Sequence, residues 1–146
     1  MDRNPLFRAT VKAVALGDAE EAIRLEDRIE PADREAYHLY VTAVFAALVQ
    51  HHFAEDSSHA AILKFVGRLR KANTEATPPL RPLMLEGLIR VVFGEEHFLA
   101  EIPLAEQLRS QFLVINTLVV ESDELSGQLD EVLTAAEDLA AHWAKA

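Results

Sequence analysis

With 146 residues, half of them apolar and 26% charged, the chain has room for one domain with its own core and lies outside the compositions of disordered and collagen-like proteins. Its lack of cysteine excludes disulfide frameworks, thiolate metal sites and cysteine nucleophiles. A net charge of −10 argues against nucleic acid or anionic membrane as a partner, because an acidic chain repels both.

The opening MDRNPLFRAT lacks the basic and then apolar pattern of a secretory leader, and the longest nearly unbroken apolar run, LYVTAVFAALV, is too short to cross a bilayer. A soluble cytoplasmic protein is expected. Ten arginines against four lysines, with abundant Ala and Leu, suggest a GC-rich bacterial genome. The charge is unevenly placed: −5 over residues 1–63, +4 over 64–94 and −9 over 95–146. The basic middle holds Lys64, Arg68, Arg70, Lys71, Arg81 and Arg90. Its expected counterpart is the acidic C-terminal segment of the same chain; an acidic second protein is the alternative.

Helical periodicity runs throughout and no stretch alternates with hairpin turn chemistry, so an all-α protein is expected. Asn4 and Pro5 read as the N-cap and first position of a first helix that closes at Gly17. Asp18 caps a second, with Glu21 as its capping-box partner, and Pro31 ends it. The junction ALGDAEEAIRL resembles the turn of a tetratricopeptide repeat, with Gly17, Asp18, Glu21 and Ala22 at the matching positions. That resemblance implies a helical hairpin, and no second copy follows 34 residues on.

A third helix spans residues 32–53, apolar on every face of 39–49 except at Thr42, as in a helix from the middle of a bundle. The fourth carries Ile62, Leu63, Phe65, Val66 and Leu69 and stops near Asn73; Gly67 inside it predicts the close approach of another helix. TEATPPLRP is a stiff elbow over residues 74–82, and Pro82 opens a fifth helix with a narrow polar stripe of Glu86 and Arg90. Gly94 breaks that helix and Pro103 starts the sixth, whose end, FLVINTLVV, is apolar but for Asn116.

The last helix, from Asp123 onward, carries Leu125, Leu129, Val132, Ala136, Leu139 and Trp143 on one heptad seam. The seam packs on the core of its own chain or, as a candidate interface at Leu125, Leu129, Val132, Leu139 and Trp143, on a second copy. The expected architecture is a single compact bundle over 1–146, of six or seven helices built from successive antiparallel hairpins.

The chemistry concentrates in HHFAEDSSHA. If residues 51–55 are helical, His51 and His52 share a face with Glu55, and His59 adds a third imidazole. Such donors suit Zn, Mn or Fe with an open position for a bound water. The structural alternative is a solvated turn between two helices, which is favoured because no recognised metal-binding spacing is present. Glu35 and His38 resemble half of the Glu-x-x-His signature of ferritin-like di-iron bundles, and His97 near Glu96 and Glu101 is an irregular second contributor. A triad from Asp56, Ser57, Ser58 and His59 lacks the strand-turn-helix elbow that exposes a hydrolase serine.

Three helices with nearly all-round apolar surface exceed what one short chain hides easily, so a subunit interface, a ligand cavity or unusually efficient packing is expected. The leading expectation is a non-enzymatic, homo-oligomeric interaction or adaptor protein without a cofactor. The alternatives are a small-molecule sensor with an apolar pocket at Phe93, Phe112 and Asn116, and a metal-dependent enzyme at His51, His52, Glu55 and His59.

Overall fold

The structure, a computed structural model, describes residues 3–76 and 79–145. Among these lie eight α-helices: α1 (Asn4–Ala15), α2 (Ala19–Glu26), α3 (Arg34–His52), α4 (His59–Ala72), α5 (Pro82–Val92), α6 (Leu104–Glu121), α7 (Asp123–Gly127) and α8 (Leu129–Ala144). Short 3-10 helices occupy Pro31–Asp33 and Glu96–Glu101, and no strand occurs among the described residues. The all-α expectation holds. None of the helices is long and apolar enough to cross a membrane.

Contacts divide the chain into two compact units, Met1–Leu48 with Gln111–Ala146, and Val49–Ser110. The division falls within α3 and α6. The proline-rich stretch 74–82, the expected elbow, lies inside the second unit, and its Thr77 and Pro78 are outside the described residues.

In the first unit α1 packs against α2 and α8. The turn between α1 and α2 needs Gly17, whose φ of 78° is left-handed. Asp18 then accepts the Glu21 backbone N–H at 3.2 Å, so the predicted cap forms, while the Glu21 carboxylate turns to Arg24 instead of completing the box. At the start of α1 the cap position is Arg3, whose side chain makes no cap bond, and Asn4 is already helical. The core gathers Phe7, Val11, Tyr37, Tyr40, Val44, Phe45, Ile115 and Leu118, with the Phe7 ring 5.4 Å from Tyr37 and 5.7 Å from Tyr40. Burial on every face of α3 from Tyr40 to Val49 agrees with its unbroken apolar run.

The C-terminal stretch is two helices, not the single one expected. α7 ends at Gly127, and Gln128, with φ −108° and ψ 12°, caps both α7 and α8. The break turns the seam: Leu125, Leu129, Leu133 and Ala136 are buried in their own unit, while Val132, Leu139 and Trp143 are half-buried.

The second unit is built on α4 against α5, with the 3-10 helix Glu96–Glu101 laid along α5. Its aromatic centre is Phe53, edge-on to Phe65 at 5.6 Å and to Phe93 at 6.1 Å. The tight approach predicted at Gly67 occurs at Gly87 instead. A Cβ at Gly87 would meet Phe98 Cβ at 3.3 Å, whereas one at Gly67 would meet nothing within 4 Å, because Gly67 faces solvent.

Candidate functional site

Ser58 caps α4 by accepting the Ala61 N–H, and Asp56 accepts the Ser58 N–H at 3.0 Å. This Ser58 contact holds the Asp56 carboxyl below its ordinary range. These bonds fix the turn after α3 and scatter the residues of HHFAEDSSHA. His51, His52 and Glu55 are all exposed, and His52 lies edge-on to Phe53 at 4.7 Å and 5.0 Å from the Phe65 ring. His59 turns to a residue the sequence reading did not select, with Nε2 3.2 Å from Glu95 Oε2.

Glu95 is held chiefly by Arg90, which donates through Nε at 2.8 Å and Nη2 at 2.7 Å. That pairing, with a smaller contribution from His59, lowers the Glu95 carboxyl to about 2. The signal for this site was the spacing of Arg90 and Glu95 across the Gly94 turn. His97 stacks on Phe98 at 4.2 Å, Glu35 is exposed, and burial lowers the pKa of half-buried His38. Among the described residues no group of three or more His, Asp or Glu is placed to hold a metal ion.

Phe112 and Asn116 line a groove of about 410 Å³ in the first unit, opposite Ala19, Ala22 and Ile23 of α2. Asn116 donates its amide to the carbonyls of Val14 and Ala15, at 3.3 and 3.1 Å, which caps the C-terminal turn of α1 from another helix. Phe93, expected beside these two, belongs to the second unit and packs on Phe53.

The charges pair selectively. Asp130 and Glu137 of α8 take Lys12 and Arg8 of α1, at 3.1 and 2.9 Å. Tyr40 donates to the same Glu137 oxygen at 2.7 Å, so a polar knot closes over the core. In the basic middle, Arg90 is matched by Glu86 and Glu95. Lys64, Arg70, Lys71 and Arg81 form no ion pair among the described residues.

Exposed apolar residues adjoin these bases: Leu63 precedes Lys64 in α4, and Leu83 lines a groove with Arg70. Leu63 on α4 is 53% exposed and Leu83 at the start of α5 is 82% exposed, although the sequence reading buries most of α5. Gly67, Arg70, Lys71 and Thr74 line a groove of about 650 Å³ beside this face. No protein family, curated protein or solved structure matches the chain.

Proposed function

We propose that the protein is a non-enzymatic interaction module that presents the outer face of α4 to an acidic, amphipathic helical partner. The observation that carries the reading is the set of four bases, Lys64, Arg70, Lys71 and Arg81, without counter-ions among the described residues of a chain of net charge −10. Unpaired cations beside exposed Leu63 and Leu83 supply the two elements of helix recognition, apolar anchors and a charge pattern that selects the partner. Gly67 leaves the middle of that face low, at a cost of about 1 kcal/mol in helix propensity that no contact among the described residues offsets.

The test is a titration of a labelled synthetic helix of leucine and glutamate by fluorescence anisotropy. Binding is expected in the micromolar range, weakening with salt as exposed ion pairs are screened. The triple variant Lys64→Glu, Arg70→Glu, Lys71→Glu should weaken it by about tenfold or more. A wild-type protein that ignores the peptide at about 100 µM and low salt removes the reading.

A further inference from the structure

We infer that the acidic partner is a second copy of this chain, with α4 of one copy seated in the groove between α2 and α6 on the first unit of another. The inference rests on the reading of α4 as a docking helix and names what it docks on.

The groove has the dimensions and chemistry such a helix requires. Phe112, Leu113 and Asn116 of α6 line it on one side, with Val120 one turn beyond Asn116, and Ile23 lines it on the α2 side. Ile23 in the lining is 64% exposed, and Val120, past the lining residues of α6, and Leu16, next to Gly17 in the α1–α2 turn, are 60% and 54% exposed. From Phe112 to Val120 is eight helical rises, about 12 Å, and Leu63 to Lys71 on α4 is the same length. Gly17, Ala19 and Ala22 keep part of the lining low, and its one long polar side chain, Glu26, is drawn to Arg34.

Charge decides the occupant. The first unit has seven basic and sixteen acidic residues, a net charge of −9, against −1 for the second. Glu20, Asp27 and Glu30 lie on or just after α2, and Asp123 and Glu124 follow α6. None of the five has an ion-pair partner among the described residues. The one acid in the groove lining, Glu26, is taken by Arg34. The charge that selects an occupant is therefore the −9 of the unit that carries the groove, with unmatched acids on or next to α2 and just after α6, and α4 brings Lys64, Arg70 and Lys71 near Leu63. An apolar ligand without positive charge would leave the acids of that unit unmatched, as would an acidic helix from another protein.

Sedimentation equilibrium of the full chain, from about 5 to about 200 µM in low and high salt, tests this. The expected mass rises above 16.2 kDa with concentration in low salt and falls back in high salt. Leu63→Asp and Ile23→Asp, one on each surface, should each abolish the rise while keeping the helical circular dichroism. Lys64→Glu with Lys71→Glu, and separately Glu20→Lys with Asp27→Lys, should be monomeric alone and associate when mixed. That rescue cannot come from misfolded protein.

A wild type that stays monomeric throughout overturns the inference, as does association that neither aspartate variant weakens. If the monomer still binds the leucine and glutamate helix, the docking face stands and its natural partner is another protein. If it binds neither, both readings fall. A monomer whose groove takes an apolar dye that Ile23→Asp releases overturns the inference in favour of a small ligand.

Discussion

Tyr37 and Tyr40 lie one turn apart on α3, each 1% exposed, and they differ in one bond. The Tyr40 hydroxyl donates to Glu137, whereas the Tyr37 hydroxyl has no partner among the described residues. Burial raises both phenols above their ordinary range. Tyr40→Phe should cost about 1 kcal/mol in urea unfolding, and Tyr37→Phe should be neutral or stabilising, because it removes a polar atom already stripped of water. Glu95 gives a pH signature. Its carboxyl lies at about 2, below the ordinary 4.5, so the stability it contributes is complete above 4.5 and lost as pH falls through about 2. Glu95→Gln should lower the melting temperature at neutral pH, with the gap from wild type closing below pH 4.5, read from thermal melts across that range. The Arg90 and Glu95 pair left a local signal in its spacing across the Gly94 turn, whereas the Tyr40 and Glu137 pair was not legible in sequence. Tyr40 and Glu137 are 97 positions apart, and local spacing cannot choose which of seven acids after residue 110 meets a given tyrosine.

At the scale of elements the glycines separate local from tertiary demands. Gly67→Ala should stabilise the fold by about 1 kcal/mol, since its Cβ would point into open space on an exposed helix face. Gly87→Ala should destabilise by about 1 kcal/mol or more, because Phe98 Cβ at 3.3 Å is tied to the backbone of the 3-10 helix and cannot swing aside. Chemical denaturation of the two variants checks the opposite signs. The sequence marks both as helical glycines and does not say which is covered. Of the signals that act within one turn, Asp18 as a cap, Pro82 at the start of α5 and Gly94 with φ 99° after its end hold, whereas Asn4 as a cap and Glu21 as a capping-box partner do not. The break at Gln128 escaped because its residues continue an apolar seam, and the seam alone carries no record that Leu133 replaces Val132 in the core.

For the whole molecule, the division through α3 and α6 has a consequence for cutting the chain. Residues 1–76 hold part of each unit, and so do residues 79–146, so neither fragment carries a complete core. A protease site placed after Pro79 should release two fragments that each lack a cooperative melt alone and regain one on mixing, read by circular dichroism. Independent folding of either fragment would mean the proline-rich stretch is the true boundary. Charge belongs to this scale as well. The acidic tail and the basic middle are plain in composition, yet the acids Asp130 and Glu137 take their partners from α1, near the other end of the chain.

The sequence by itself determined the helical class, most helix starts and stops, and the apolar faces of α3 and α6, because these depend on backbone chemistry and periodicity within a few turns. It also determined that HHFAEDSSHA carries polar groups, but not that Ser58 would cap α4 while His52 joined Phe53 and Phe65. Only the tertiary structure decided which charges were left over. Every acid near a base in sequence is a possible partner until folding gives Arg90 to Glu95 and Arg8 to Glu137 and leaves Lys64, Arg70 and Lys71 on an open helix face. An ion pair depends on distance in space, and the steep fall of that interaction in water makes the remainder visible only after the fold has made its choices.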